Sequence, residues 1–410
     1  MEQWLTSKRL RTHGLLLLVI LWSFYFWTLA TPNLRDRDGN LKGTDFLHLY
    51  TLGALANEHR GGELFDIKAQ ATVAAQRVPD AAGIRYLPLY PPQVSILFIP
   101  FSYLSYHWAL MVWWICTTGI YGLCCYSVWR VCPRLRDSGW TVALLAAAYP
   151  AFFHLIAWGQ TSAIALACFT LLFFSLRKRR YFVAGLVLGC LIFKPQLGLA
   201  ATILFIALGK WRLLAGTIFS AATQVSAGIL YYGMRPFGSW LRTLLTVRSM
   251  LPAFEPRPYQ THCLRTFWSM IVPSDSLAFA LYVFSAGVVL AWTITLWRCR
   301  AILPLRFSAL LLATVLVSPH LTVYDLVILA PALLLLADWL ISQPTAGFGM
   351  GTLVYLVYFL PLLGPFTRWI HVQLSVVAMT AVVYMIWRLC VRNVPGNVVP
   401  AATPSAHVHS

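Results

Sequence analysis

The feature that most constrains this chain is the recurrence of long apolar runs. They fall near residues 14–30, 107–129, 140–157, 160–176, 181–193, 197–209 and 213–233, and then near 277–297, 306–318, 322–340, 346–363 and 370–388. A bilayer core takes about 20 apolar residues as one helix, and inside it the backbone must satisfy its own hydrogen bonds. Charged residues make up only 11% of the 410 and hydrophobic ones 59%, against about 25% charged in an ordinary soluble domain. So few charges could not cover a water-soluble protein of this size. A soluble enzyme, a disordered chain and a collagen-like chain are all excluded. The expected fold class is an all-α polytopic membrane protein of about twelve transmembrane helices in a single domain, residues 1–410. The 17 Trp and 18 Tyr suit the aromatic belts at bilayer interfaces.

The 31 Lys+Arg against 13 Asp+Glu leave a net charge of +18. In a soluble domain that would suggest nucleic acid, but no basic face or binding motif lies outside the loops, so no nucleic-acid partner is expected. The excess reads as topology signal and attraction to anionic lipid. With both termini inside, short basic segments fall on the cytoplasmic side. They carry Arg130, Arg134 and Arg136; Arg177, Lys178, Arg179 and Arg180; Lys210 and Arg212; Arg298, Arg300 and Arg306; then Arg388 and Arg392. Lys8, Arg9 and Arg11 precede the first run, and Thr28-Leu29-Ala30 imitates a signal cleavage site. The bulk of Trp22, Tyr25, Phe26 and Trp27 favours a retained helix instead. The shortest predicted spans flank Lys194 and Ser318. The nine cysteines form no disulfide framework and show no metal-ligand spacing.

Two connections are long: an external loop at about 31–93 and a second at about 234–276, with a cytoplasmic tail at about 389–410. Together the two loops hold about 105 residues, too few for an independent nucleotide-binding domain, and long ordered loops are usually functional. In the first, Phe46, Leu49, Leu52 and Ala56 recur at helical spacing after Asp45, which predicts a helix lying on the membrane surface. Gly61-Gly62-Glu63-Leu64-Phe65-Asp66 ends it. Tyr86-Leu87-Pro88-Leu89-Tyr90-Pro91-Pro92 then leads back toward a half-inserted or interfacial helix at 93–104.

These features together resemble glycosyltransferase family 87. The resemblance rests on an Asp after the first helix, a Gly-rich turn with Phe65-Asp66, and Tyr90-Pro91-Pro92. It continues through Trp158-Gly159-Gln160, Lys194-Pro195-Gln196, and Ser318-Pro319-His320 with Tyr324-Asp325. The motifs keep their order along most of the chain. Thr161-Ser162 follows Gly-Gln where Asn is commoner in the family, and Phe65 stands for the usual Tyr. The resemblance implies a GT-C-type fold and a polyprenyl-phosphate-mannose donor. It also implies inversion, from a β-linked donor to an α-linked product, at the extracytoplasmic face of the cell membrane.

A lipid-anchored donor keeps its phosphate and sugar at the membrane–water boundary. The transferase must activate an acceptor hydroxyl there and steady a departing phosphate. Asp45 is the candidate catalytic base; its alternative role is helix N-cap. Lys194 is a candidate for the donor phosphate, with a snorkelling lysine as the alternative. Arg235, Arg242, Arg248, Arg257 and Arg265 make the second external loop basic with no topological reason, and Arg235 and Arg257 are assigned to the phosphate. His48, Tyr90, Gln160, His320 and Asp325 are candidates for the sugar or acceptor. Hydrogen bonds that hold helices together are the alternative for the last two, structural bonds for Tyr90 and Gln160, and the headgroups for His48. Asp36 and Asp38 form a DxD, read as a solvated turn beside Arg35, Arg37 and Lys42 rather than a metal site. The scheme calls for no metal or cofactor, since the lipid-linked sugar is a substrate. Expected partners are that donor, a glycolipid or glycan acceptor, and the bilayer. The alternative reading is a polytopic transporter or flippase for a lipid-linked or glycan precursor. Transporters often show repeated halves, and no internal repeat is evident here.

Overall fold

The computed structural model of the chain describes residues 5–246, 257–299, 301–343 and 349–392. Arg248, Arg300 and the tail beyond residue 392, all named above, lie outside the described residues. The described residues are helical throughout, joined by turns, with two isolated bridges as the only extended pairing among them.

Within the described residues, each of the apolar runs becomes helix, but the runs divide into two kinds. Among the described residues, seven helices are long and apolar enough to cross a bilayer: Ser7–Leu29, Tyr106–Trp129, Trp211–Tyr232, Asp275–Arg298, Val323–Ser342, Met350–Ile370 and Leu374–Val391. The pair Pro133–Ala147 and Pro150–Trp158, bent by 45°, makes an eighth if counted as one span. Ser162–Arg177, Tyr181–Phe193, Pro195–Ala207 and Leu303–Val317 have 10–17 residues each. The expected twelve spans are therefore seven or eight of full length plus four short apolar helices.

Burial explains one of the short ones. Leu303–Val317 packs against Pro195–Ala207, Asp275–Arg298, Ala330–Ser342 and Leu374–Arg392. Every residue from Phe307 to Val317 is buried. It is apolar all round because protein surrounds it, and an apolar stretch of this length fits a buried core helix better than a span. Tyr181–Gly189 lies backbone to backbone against Trp211–Tyr232. A Cβ on Gly185 would sit 1.9 Å from the Leu213 carbonyl oxygen, and one on Gly216 would sit 2.3 Å from that of Phe182. Small residues at such crossings let membrane helices approach closely.

The helix after Asp45, Phe46–Asn57, does not lie on the surface as expected. Every residue from Phe46 to Ala56 is buried. Its sequence, Phe-Leu-His-Leu-Tyr-Thr-Leu-Gly-Ala-Leu-Ala-Asn, contains no charge and so offers no face to water. It packs against the short helices Val94–Leu97 and Ile99–Ser102, which together form the predicted 93–104 segment. The chain then turns at Gly61–Glu63, and Asp66 caps Ile67–Arg77 by accepting from the amides of Lys68 at 2.8 Å and Ala69 at 3.2 Å. Asp36 of the DxD accepts from the amides of Asp38 and Asn40 at 3.0 and 2.9 Å, which makes it a turn former. All nine cysteines are free.

Candidate active site

The site is built where five separate segments meet. The first is the start of Phe46–Asn57. The Asp45 amide donates to the Trp158 carbonyl at 3.0 Å, and Trp113 Nε1 holds the next carbonyl, that of Gly159, at 2.9 Å. Gly159 has φ +65°, and a Cβ there would sit 2.7 Å from Phe46 Cβ. Only glycine supplies both that conformation and that clearance. The turn 158–160 thus sits flush against the residue after Asp45 and aims Gln160 at its carboxylate.

Asp45 occupies the N-cap position but makes no capping hydrogen bond. Its Oδ2 accepts from Gln160 Nε2 at 2.5 Å, and among the described residues Oδ1 carries no hydrogen bond. Protein encloses the carboxylate on nearly every side while part of the residue's surface still reaches solvent. Burial lifts its carboxyl to about 6, against the pull of the Gln160 bond and the Lys194 ammonium, with the Asp325 charge adding to the rise.

Gln160 is buried and spans the site. Its Oε1 accepts from Tyr90 Oη at 3.2 Å and from Lys194 Nζ at 3.4 Å. Lys194 sits at the break before Pro195–Ala207, where Pro195 opens the helix. Far from snorkelling, it is 6% exposed. Its ammonium donates to Asp325 Oδ1 at 2.8 Å and to Ser162 Oγ at 3.1 Å, and lies 5.1 Å over the Tyr324 ring. Asp325 is 2% exposed. Ser162 Oγ also donates to its Oδ1, and its Oδ2 closes a capping box with Thr322. The hydrogen-bonded partners of Asp325 are therefore Lys194, Ser162 and Thr322.

The two carboxylates thus differ in kind. Asp325 uses both oxygens within the protein, as the counter-ion of a buried cation. Asp45 keeps one oxygen open, and a carboxyl near 6 is poised to take a proton close to neutral pH. The arrangement leaves one oxygen of Asp45 unbonded beside Gln160 and the buried Lys194–Asp325 pair.

His48, one turn beyond Asp45, is buried and does not face the headgroups. Its ring stacks parallel to Tyr86 at 5.1 Å and lies 5.9 Å from Tyr90. Burial pushes its imidazole down to about 4, so it is neutral at pH 7. Its Nε2 has no hydrogen-bond partner among the described residues. Tyr86 in turn donates to the Thr44 carbonyl.

The structure does not bring all the predicted residues together. Arg235 and Arg257 are exposed on the second loop, and among the described residues no hydrogen bond or ion pair joins them to Asp45 or its neighbours. His320 is half-buried, and its carbonyl accepts from Ser318 Oγ at 2.8 Å. The end of the second loop nonetheless braces the site. Thr261 pairs with Thr322, and the His262 amide donates to the Leu321 carbonyl at 2.9 Å, just before the turn that carries Asp325. Ser162, Thr161 and Tyr324 were not singled out as site residues from the sequence. Ser162 bridges Lys194 and Asp325, and its place at the first turn of a helix directly after Gly159-Gln160 was the available signal.

The fold and the site together are those of a polytopic helical protein that gathers one open carboxylate beside a buried ion pair. The family model for glycosyltransferase family 87 matches residues 89–319, more than half of the chain. The protein belongs to glycosyltransferase family 87 and is a membrane glycosyltransferase. Tyr90, Gln160 and Lys194 lie inside the matched region, Asp45 and His48 before it, and His320 and Asp325 just after it. No curated protein and no solved structure matches the chain.

Proposed function

We propose that the protein, folded in the GT-C manner, transfers one sugar, mannose in our reading, from a polyprenyl monophosphate to an acceptor hydroxyl. The site would face the extracytoplasmic side of the cell membrane. The reaction is a single displacement with inversion. Asp45 Oδ1 takes the proton of the acceptor hydroxyl as its oxygen bonds to the anomeric carbon. The bond from that carbon to the lipid phosphate breaks, and the phosphate leaves with the electron pair.

The observation that carries this reading is the state of Asp45: it occupies a cap position without capping, is held by Gln160, and keeps one open oxygen near neutral pKa. Gln160 fixes the orientation of the base and links it to the Lys194 charge. A positive charge near the departing phosphate favours the transition state. Lys194 reaches a phosphate by yielding its longest bond, the 3.4 Å one to Gln160, while Arg235 and Arg257 are free to meet phosphate at the loop surface. Tyr90, His48 and Gln160 line the approach to Asp45, where sugar and acceptor hydroxyls would bond. His320 and Asp325 complete the set around the Thr322 turn. The scheme routes no step through a metal or cofactor.

The test uses purified protein, labelled polyprenyl-phosphate mannose and an extract of the host's own glycolipids. Label should pass to a new product with the wild type and fail to do so with a folded Asp45→Ala variant. Full activity in that variant would remove Asp45 as base. No transfer from this donor or from other polyprenyl-phosphate sugars, over a range of acceptors, would leave transport of a lipid-linked precursor as the better reading.

A further inference from the structure

The segment that brings Tyr86 and Tyr90 to the site carries a polar group that the scheme above does not use. Gln93 is 8% exposed, and both its Oε1 and its Nε2 are buried with no hydrogen-bond partner among the described residues. Its neighbours along the chain behave otherwise. Tyr90 bonds Gln160 and Thr161, Ser95 bonds the Pro92 carbonyl and Tyr232, and the Leu89 carbonyl accepts from Trp240. Gln93 alone in this stretch has an amide bare at both ends.

A buried carboxamide offers two donors and an acceptor, and leaving them all unmade is costly. Met or Leu would fill the same space without that cost. The helix carrying Gly228 comes close to the stem of this side chain: a Cβ on Gly228 would sit 3.0 Å from Gln93 Cβ and 2.8 Å from Phe237 Cζ. Phe237 lies in the first turn of the helix Arg235–Thr246, which follows Gly233 at φ +76°.

We infer that Gln93 is a sugar-reading residue, whose carboxamide pairs with two adjacent ring hydroxyls of a glycosyl substrate. The amide is uncharged and presents a donor and an acceptor side by side, which matches a vicinal diol rather than a phosphate. Only Pro91 and Pro92 separate it from Tyr90, which bonds Gln160 of the Asp45 site, and we assign it to the same substrate. This inference rests on the glycosyltransferase reading proposed above.

The experiment measures thermal unfolding of the full-length protein in nanodiscs, with and without a panel of soluble methyl glycosides that differ in the configuration of adjacent hydroxyls. Wild type should be stabilised by one configuration over the others. Gln93→Met should unfold, without ligand, at the same temperature as wild type or higher, and should bind the preferred glycoside at least tenfold more weakly. Gln93→Asn, which keeps the amide but withdraws it by one carbon, should fall between. KM for the glycosyl donor should rise with the same ranking. A lower unfolding temperature for ligand-free Gln93→Met would mean that the amide is bonded within the protein, and would overturn the inference. So would equal glycoside affinity in Gln93→Met and wild type, or a wild type that no glycoside stabilises. If glycoside binding depends on Gln93 while no sugar is transferred from any polyprenyl phosphate, the donor assignment fails and this inference stands.

Discussion

The carboxylate of Asp45 accepts a hydrogen bond from the carboxamide of Gln160, 115 positions away in the sequence. That contact holds a residue suited to capping a helix in the orientation that the proposed proton transfer requires. The other end of the same amide receives Tyr90 and Lys194, so the orientation of the base is tied to a buried charge. Gln160→Leu keeps the volume and removes both ends of this link. We expect it to fold and to lower kcat by about 10–100-fold, since misplacing a catalytic group by about an ångström costs on that order. Unchanged kcat would show that Asp45 needs no such tether.

Asp45→Asn retains an acceptor for Gln160 and loses the base. Sugar transfer should fall by about 10²–10⁴-fold, the usual worth of a positioned base. Steady-state rates with a labelled lipid-linked donor measure this directly.

Stability of the same variant should depend on pH. The carboxyl of folded Asp45 stands near 6, above the value of about 4 in an unfolded chain. The folded state therefore holds the proton more tightly. Below about pH 4 both states are protonated, and the asparagine brings no gain. As pH rises from about 4 to 6, wild type loses stability relative to the Asp45→Asn variant, by up to about 3 kcal/mol. Unfolding temperatures at pH 4.5 and 7.5 should differ little at the first and favour the variant at the second.

The pH–rate profile should carry an acid limb. A base with its carboxyl near 6 is protonated below that, so kcat/KM should fall about tenfold per pH unit on the acid side of 6. A flat profile between pH 5 and 7 would assign the base elsewhere.

Lys194 and Asp325 should show strong coupling. Removing either partner strands the other in a buried site, at a cost of about 3–5 kcal/mol, whereas replacing both by apolar residues is often close to neutral. Lys194→Met and Asp325→Leu should each lower yield and unfolding temperature, and the double variant should recover most of the loss while remaining poorly active. Additive losses would mean that the 2.8 Å bond contributes little.

Much of this is legible in the sequence. The apolar runs become helices at their expected places, and Asp45, Tyr90, Gln160, Lys194 and Asp325 stand out by residue type and motif without their convergence being visible. Three things are not legible. Helix length alone does not separate spans from the buried Leu303–Val317, because lipid and protein both ask for apolar surface. The helix after Asp45 is misplaced for a related reason: Phe46, Leu49, Leu52 and Ala56 mark one buried face, but the residues between them are also uncharged, and the whole helix is inside. Ser162 escapes notice because a hydroxyl at a helix start is commonplace, and its role depends on Lys194 and Asp325, 32 and 163 positions away.

The order in which the site's parts are made follows from the Lys194–Asp325 pair. Lys194 leaves the ribosome 131 residues before its counter-ion. Throughout that interval its ammonium has no carboxylate from Asp325 to sit against, and an unpaired cation resists entering an apolar interior. The short helices on either side of it, ending at Phe193 and beginning at Pro195, can settle into their final positions only after the Thr322–Asp325 turn has been synthesised. A nascent chain stopped before that turn should remain recognisable to membrane quality control as unfinished, by the charge it cannot bury.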